Sequence, residues 1–407
     1  MKVTGIIAEY NPLHEGHQYH IRKSRNIVRA DATIAVISSN FVQRGEPALV
    51  DKGVRAEMAL ACGVDLVLEL PVVYSSHNAG LFANAAVDIL ASTGLVSSLC
   101  FGMETPDERK LNAVADLLNE EPKEFRADLR RYLKGGCSFV QARSLALEER
   151  IPGCLSFLKR PNNNLALAYT KRIREKGYPL EVIPIERVGA GFHDRKVGEA
   201  SSYASASALR RLFEAGREEL VYARMPEKAA SLLRSSSESG HVALSKERYW
   251  RAIRLSILRD GVEGLSRVAE MREGLENRMH SLVWESESFD AFLSACTSRR
   301  YPAGRLSRHC VHLLIGLLHE ASRDFQKNGP PYIRVLGANE TGRRLLRTMR
   351  DSAKLPLISK SSAPWSSYAR RMMAFEHRAT EIWEMLTDSP RPKRESRFRT
   401  VILHDSA

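Results

Sequence analysis

The first 220 or so residues alternate short apolar runs with amphipathic stretches, and no other feature narrows the fold as far. The runs "KVTGIIAEY", "ATIAVISS", "DLVLELP" and "SSLCFGM" read as strands, and "LEVIPIERVG" follows after a helical insert over roughly 106–175. Between them, "HQYHIRKSRNIVRA", "KGVRAEMALACG" and "NAGLFANAAVDILASTG" have the spacing of helices. A strand wetted on one face alternates apolar and polar side chains. These runs are apolar almost throughout, so both of their faces must be covered. Strands of that kind alternating with helices mean βαβ units. The expectation is an α/β fold with a doubly wound parallel sheet.

The serine-rich "RSSSESG" at 234–240 marks a change of composition and reads as a linker or exposed turn. Beyond it, "SKERYWRAIRLSILRD", "VEGLSRVAEMREGLENRMHSLV", "SFDAFLSACTS" and "GRLSRHCVHLLIGLLHEAS" are helical in pattern. From about 330, "PPYIRVLGANETGRRLLRTMR" and "KLPLISK" read as strand, turn, helix, strand: a small third unit or an embellishment of the helical region. The tail "SPRPKRESRFRT" is rich in proline and arginine and is expected to be disordered when free. The chain thus divides into a sheet domain over 1–225, a mostly helical domain over 226–360 and an extension over 361–407.

Lys and Arg number 61 against 48 Asp and Glu, a formal charge of +13 over 407 residues. That excess suits a polyanion, nucleic acid ahead of an anionic membrane surface, although charge alone is equally compatible with an ordinary basic protein. The six cysteines, Cys62, Cys100, Cys137, Cys154, Cys296 and Cys310, form no CxxC pair. Most have apolar neighbours, so reduced buried thiols are expected rather than a zinc knuckle or a disulfide framework. "MKVTGIIAEY" has one lysine and then reads as a strand, not as the core of a signal peptide. "HLLIGLLH" falls well short of the ~20 apolar residues that span a bilayer. A soluble, cytoplasmic protein without membrane contact is expected.

The first strand runs into "EYNPLHEGHQYH", residues 9–20. In an open parallel sheet, ligands gather at the carboxyl ends of strands near the topological switch point. A helix N-terminus there offers free N–H groups and partial positive charge, which suit a phosphate. Pro12 ends the strand, and Gly16 leaves room for close approach. His14 and His17 are three apart and share a face if the helix has begun. Both can donate to phosphate oxygens where charge builds during attack on phosphorus. Two other readings remain open. Zinc accepts the spacing of His14, His17 and His20, but no Glu, Asp or Cys completes the set at a helical offset. Each histidine, His20 above all, can instead be ordinary support. A GxGxxG dinucleotide fingerprint is absent.

"HEGH" after "EYNP" resembles the HIGH-type signature of nucleotidyltransferases and class I aminoacyl-tRNA synthetase-like folds. It is accompanied, in order, by "SSNFVQRGEPALVDKGVRAEMAL" (38–60), "ELP" (69–71), "FGMET" (101–105), "RPNNNLALAY" (160–169) and "SASALR" (205–210). Then come "GLENRM" (274–279), "RRYPAGRLSR" (299–308) and "PYIRVLGANETGRRLL" (331–346). Together these resemble the tRNA(Met) cytidine acetate ligase family, from residue 1 to about 360. The resemblance implies a Rossmann-like (HUP-type) nucleotidyltransferase domain that binds ATP, followed by a mostly helical RNA-binding domain. It implies activation of acetate by ATP, with Mg2+ accompanying the nucleotide, to give acetyladenylate and pyrophosphate. The acetyl group then passes to N4 of the wobble cytidine, position 34, of elongator tRNA(Met), forming N4-acetylcytidine.

By the same resemblance, nucleotide contacts run over Ile7, Ala8, Glu9, Tyr10, Asn11, Pro12, Leu13, His14, Glu15, Gly16, His17, Gln18, Tyr19 and His20. They continue at Gly102, Asn162 and Arg187, with Asn163 as the alternative to Asn162. "SASALR" resembles the second signature of such folds, in which Ser205, Ser207 and Arg210 would clamp the distal phosphates. A plain helix N-cap beside a solvated arginine is the competing reading. "NFVQRGEP" puts Gln43, Arg44 and Glu46 on a loop after the second strand, where Arg44 can orient acetate or phosphate by a bidentate contact. Lys52 is a second candidate cation. The expected catalytic set is therefore His14, His17, Arg44, Lys52, Ser205 and Arg210, with no protein-bound metal. Adenylate formation asks a protein for positioning and charge stabilisation, which such a set supplies.

"TSRRYPAGRLSRH" interleaves Arg299, Arg300, Arg305 and Arg308 with Tyr301, a combination that contacts phosphates and stacks on an unpaired base. "GRRLLRTMR" places Arg343, Arg344, Arg347 and Arg350 near one helical face. A solvated basic face is the alternative for either. Three positions depart from the family's pattern: Leu13 for phenylalanine, Ser39 for glycine and Gly53 for a bulky aromatic. The last two bear on a loop near the acetate pocket. The competing functions are a nucleotidyltransferase that adenylates a small carboxylate or phosphate without RNA, and a non-catalytic RNA-binding adaptor. The basic helical region weighs against the first, and the intact His14, Gly16 and His17 set against the second.

Overall fold

The structure is a computed structural model that describes residues 1–187, 203–298, 300–359 and 366–403. Its strands, in chain order, are β1 (Val3–Ala8), β2 (Ala32–Ser38), β3 (Phe41–Val42), β4 (Glu46–Pro47), β5 (Leu66–Leu70), β6 (Val96–Met103), β7 (Glu181–Glu186), β8 (Ile333–Ala338), β9 (Leu357–Ile358) and β10 (Val401–Ile402). The main sheet has the order β10-β8-β5-β2-β1-β6-β7, with β9 also paired to β8. From β1 the chain moves outward through β2 to β5, then returns across β1 to β6 and β7, all parallel. The switch point therefore lies between β1 and β6.

Doubly covered strands are found as expected. Ile34 and Val36 of β2 belong to one hydrophobic cluster while Ala35 and Ile37 belong to another. Alternate side chains leave opposite faces of a strand, so each face has its own core. The helices between strands begin where a side chain can take the free N–H groups. Asp51 accepts from Gly53 and Val54 at the start of Lys52–Ala61, and Asn78 accepts from Leu81 at the start of Ala79–Ser92. The helical insert is five helices, from Glu108–Glu120 to Pro161–Lys176.

Three expectations change. "RSSSESG" is not a linker: Arg234 to Glu238 lie within the helix Glu227–Glu238, where the Ser236 hydroxyl donates to the Leu232 carbonyl one turn back at 2.9 Å. Serine can satisfy itself against its own helix, so its abundance does not mark a break. Second, the strand at 333 is neither a third unit nor an embellishment of the helices. It joins the main sheet as β8, antiparallel to β5. Third, the tail is ordered: Arg394–Arg397 is a helical turn with Glu395 fully buried, and β10 adds to β8. The sheet thus takes strands from all three of the expected segments.

The helix Ser367–Met385 also grips the loop that follows β2. The Ser39 hydroxyl donates to Glu376 at 2.6 Å, Asn40 Nδ2 donates to Thr380 at 3.3 Å, and Trp383 Nε1 donates to the Ala48 carbonyl at 2.7 Å. Among the described residues no helix is long and apolar enough to cross a membrane.

Candidate active site

A cavity of about 450 Å³ opens at the carboxyl ends of β1, β6 and β7, beside the switch point. One wall is the turn from β1 into the helix Glu15–Val28. His14 is the N-cap of that helix, and its Nδ1 accepts from the Gly16 N–H at 3.1 Å. His17 Nδ1 accepts from the His14 N–H at 3.3 Å, closing a capping box built from two imidazoles. A neutral imidazole that accepts at Nδ1 carries its proton on Nε2. The backbone thus sets both tautomers and leaves two Nε2–H donors, on rings whose centroids are 3.9 Å apart. A Cβ on Gly16 would stand 2.9 Å from the His14 ring, so this cap requires glycine.

Both rings are neutral near pH 7. Burial, and then the Arg187 charge, pushes His14 down to about 3. His17 is held well below its ordinary value by burial, then by His14 and Arg187. His20 also lines the cavity; burial and Arg187 lower it to about 4, and its buried Nε2 has no partner. Among the described residues no three His, Cys, Asp or Glu side chains are grouped to hold a metal ion.

The facing wall comes from the loop after β2 and from the helix Ala206–Glu214. Ser205 is that helix's N-cap, accepting from the Ala208 N–H at 3.3 Å. Arg210 donates to the Asn11 carbonyl at 2.7 Å and pairs with Glu46. Arg44 reaches the same cavity; burial, then the nearby Arg210, lowers its pKa from the ordinary guanidinium value. Glu9, half-buried just past the end of β1, is raised by burial against the opposing Gln43 N–H, which donates to it at 2.9 Å.

Arg55 organises both walls. Its buried guanidinium donates to the carbonyls of Glu9 (2.8 Å), Ser38 (2.9 Å), Ser39 (2.7 Å) and Val50 (3.1 Å). One side chain thereby ties the exits of β1 and β2 together. Sequence reasoning missed it, because an arginine inside "KGVRAEMAL" reads as any arginine on a helix.

On the third side, Gly102 in β6 allows the Arg187 side chain to cross it; a Cβ there would lie 3.0 Å from Arg187 Cγ. Asn162 lines the cavity and donates to Glu104 at 2.5 Å. Asn163 is buried beneath, accepting from the Glu104 N–H at 3.2 Å and donating to the Phe157 carbonyl at 3.0 Å. Of the two, Asn162 faces the cavity and Asn163 does not. Phe82, Phe101, Leu165 and Tyr169 supply apolar lining that sequence reasoning did not single out. Tyr203 also went unnoticed; it stands 5.9 Å from Tyr19, ring to ring.

Of the expected nucleotide stretch, Ile7, Ala8, Glu9, Tyr10, Asn11, His14, Gly16, His17, Tyr19 and His20 line the cavity. Pro12, Leu13, Glu15 and Gln18 do not. Pro12 and Leu13 are buried behind the turn, and Glu15 faces solvent. Lys52 is likewise outside the cavity. It is 2% exposed, and its Nζ meets Glu69, Glu376 (3.1 Å) and Glu395 (2.9 Å), so it cannot serve as a substrate cation. Ser39 and Gly53 face the C-terminal segment rather than the cavity: Ser39 bonds Glu376, and a Cβ on Gly53 would stand 3.1 Å from the Phe398 ring. Phe398 occupies the space that a bulky side chain at 53 would need.

The expected RNA residues separate. Tyr301 is buried, with its hydroxyl donating to the Arg272 carbonyl at 2.6 Å, so it is no open stacking surface. Arg305 lies over its ring, 4.5 Å from the centroid, and Arg300 pairs with Glu273 at 3.1 Å. Arg308 stands against Gly45, on the loop that reaches the cavity. Arg299 lies outside the described residues. Arg343 and Arg344 are exposed on the helix Glu340–Ser352, which runs from Asp65, ahead of β5, to Thr93, ahead of β6. Those are the amino ends of the strands, opposite the cavity.

The HIGH Nucleotidyl Transferase family model matches residues 1–397. A tRNA(Met) cytidine acetate ligase of Thermoanaerobacter sp. (strain X514) is 38% identical over 365 residues, 89% of each chain. One from Clostridium perfringens (strain ATCC 13124) is 33% identical over 398 residues, 96% of each chain. Thermotoga maritima TmcAL in its apo crystal form superposes with a TM-score of 0.91 at 33% identity, covering 99% of this chain and 100% of that one. Its complex with alpha-thio ATP gives 0.90 at 32% identity over the same shares. With a HIGH-type cap at the switch point and this similarity along nearly its whole length, the chain belongs to the HIGH nucleotidyltransferases and, among them, to the tRNA(Met) cytidine acetate ligase family.

Proposed function

We propose that the chain activates acetate with ATP as acetyladenylate and transfers the acetyl group to N4 of the wobble cytidine, position 34, of elongator tRNA(Met), in the cytoplasm. The observation that carries this reading is the pair of neutral Nε2–H donors at a helix N-terminus, His14 and His17, on the wall of the cavity. In the first step an acetate oxygen bonds to the α-phosphorus as the bond to the β-phosphate oxygen breaks, releasing pyrophosphate. Charge builds on the phosphate oxygens, and preorganised donors in a water-poor site stabilise it. His14 and His17 do this without bringing a charge of their own. Arg44 and Arg210 with Ser205, on one wall of the cavity, would supply counter-charge to the acetate carboxylate and the distal phosphates, while Gly102, Asn162 and Arg187, on another, would take the ribose and base. In the second step the cytidine N4 bonds to the acetyl carbon, the carbon–oxygen bond to AMP breaks, and N4 loses a proton.

Mg2+ fits this cavity as an ion borne by the nucleotide, with Glu9 and Glu186 as the lining carboxylates, since Mg2+ is usually held by phosphates plus one or two carboxylates. When bound, it would neutralise charge on the departing pyrophosphate. Arg305 and Arg308 are on the helix beside the Gly45 loop, and in this reading they would meet RNA near the cavity mouth. Arg343 and Arg344 would meet only a part of the tRNA remote from the wobble base.

The test is to incubate the protein with ATP, labelled acetate and tRNA, digest the RNA and identify the labelled nucleoside. Label in N4-acetylcytidine is the expected result; acetate-dependent ATP–pyrophosphate exchange with no label in RNA would overturn the second step. Arg305→Ala should weaken tRNA affinity and leave the exchange reaction unchanged.

A further inference from the structure

The proposed reaction requires an unpaired nucleotide to enter the cavity, and single strands held this way commonly stack a neighbouring base on an aromatic ring. Tyr301 is buried and cannot serve. Trp284 can. It is 67% exposed, and the Arg254 guanidinium lies over one ring face, 4.6 Å from the centroid. A ring covered on one side and still that accessible presents its other face to solvent. Phe139 is also an exposed aromatic, at the start of the helix Phe139–Arg150, but it lies on the insert, away from this charge.

The charge around Trp284 is mixed: Glu285 and Glu287 follow it in the chain, and two arginines beside it are without a carboxylate among the described residues. Several arginines of this helical region are neutralised: Arg248 by Asp388, Arg251 by Glu247, Arg259 by Asp260 and Arg267 by Glu263. Arg254 and Arg278 have no ion-pair partner among the described residues. Arg278 donates to the Ala295 carbonyl at 2.7 Å, and Arg254 Nε is buried without a partner. Along the helix Leu275–Leu282 leading to Trp284 lies a shallow depression of about 650 Å³, whose lining includes Asn277, Arg278, His280 and Ser281. An aromatic face, unpaired guanidinium charge and amide and hydroxyl groups able to meet base edges are the components of a single-strand surface.

Its position is suitable as well. Arg254 is on the helix Lys246–Ser266, and Tyr249 of that helix donates its hydroxyl to the Gly45 carbonyl at 3.4 Å. Gly45 belongs to the loop that carries Arg44 into the cavity. Arg254 lies five residues further on, about 7.5 Å along the axis at the usual rise of an α-helix. At 3.6 residues per turn Arg254 is also turned about 140° from Tyr249, so a strand leaving the cavity would pass round this helix to reach Trp284.

We propose that Trp284, backed by Arg254 and flanked by Arg278, is a stacking platform for an unpaired base of the RNA whose neighbouring nucleotide enters the cavity. The proposal rests on the functional reading above. Its occupant is single-stranded RNA, whose phosphates answer both guanidinium charges while a base takes the open ring face; an apolar peptide would leave the charges unanswered.

The test titrates the full-length parent, Trp284→Ala, Trp284→Phe and Arg254→Ala with three probes: a tRNA(Met) transcript, a single-stranded heptaribonucleotide and a duplex RNA. Trp284→Ala should weaken tRNA and heptamer binding by about tenfold. Trp284→Phe should stay within about threefold of the parent, Arg254→Ala should fall between, and duplex binding should not change. Acetate-dependent exchange should match the parent in every variant. Equal tRNA affinity in parent and Trp284→Ala overturns the platform alone. So does a changed oligomeric state in sedimentation with RNA affinity unaltered, which would assign the face to a second copy. If the parent itself binds no tRNA, the functional reading falls with it.

Discussion

Two buried polar assemblies flank the loop between β2 and the helix Lys52–Ala61, and they are built in opposite ways. The histidine wall holds no formal charge: His14 and His17 are neutral, engage Nδ1 with the backbone and leave Nε2–H toward the cavity. The second assembly is all charge. Lys52 and Arg334 are enclosed with Glu69, Glu376 and Glu395, none more than 2% exposed. There each cation meets carboxylates: Lys52 contacts all three, and Arg334 pairs with Glu69 at 2.9 Å and with Glu395. Burial would lower the Lys52 ammonium, but Glu395 and Glu69 raise it above its ordinary value. Burial would raise Glu395, but Arg334 and Lys52 hold it at about 2. Three carboxylates share two cations, and Glu376 takes the imbalance: burial, then Glu69, pushes it up to about 7. A site keeps donors unanswered for its ligand, whereas a scaffold answers its groups internally. Lys52 and His17 both looked catalytic in the sequence, and this difference separates them.

The largest effect should come from the scaffold. Lys52→Met leaves buried carboxylates without their cation and should cost about 3–5 kcal/mol of stability, measured as a fall in urea midpoint. If the loss stays under about 1 kcal/mol, the cluster does not hold the fold. His17→Ala should do the reverse, with about 10²–10³-fold lost from acetate-dependent exchange and unfolding nearly unchanged. Wild-type exchange should show no histidine titration near pH 6.5, because His14 and His17 are neutral far below that. A break there would mean that a charged imidazole is required.

A third, smaller effect tests the imbalance at Glu376. Its folded pKa of about 7 lies above the ordinary 4.5. Between those values the folded state binds the proton that the unfolded state has released. Stability from this group is therefore present below pH 4.5 and lost as pH rises toward 7, at up to about 1.4 kcal/mol per unit. Glu376→Gln should remove that slope, read as the difference in unfolding free energy between parent and variant across pH 4.5 to 7. A pH-independent difference would place the excess charge elsewhere. The smallest effect should be at the far end of the sheet, where Arg343→Ala with Arg344→Ala should weaken tRNA binding a few-fold. The salt slope should fall by about one for each phosphate that the double variant no longer neutralises, with exchange unchanged.

Much of this arrangement was legible in the chain. Apolar runs alternating with helices required covered parallel strands, and β1, β2, β5, β6 and β7 are where those runs stand. "HEGH" after a strand marked a helix N-terminus with two donors, because capping and strand-end geometry are local matters of a few residues. What stayed illegible depends on partners far apart in sequence. Glu395 looked like one acid in a disordered basic tail until Lys52 and Arg334, 343 and 61 residues earlier by their numbering, closed around it. Arg55 looked ordinary until four carbonyls converged on it. Tyr301 and Trp284 are equally aromatic on paper, and only packing decided which is buried and which is open. Local pattern determines where strands, turns and caps form. Which polar groups are closed off by others, and which are left for a ligand, is decided by the tertiary fold, because burial and charge pairing are properties of distance in space.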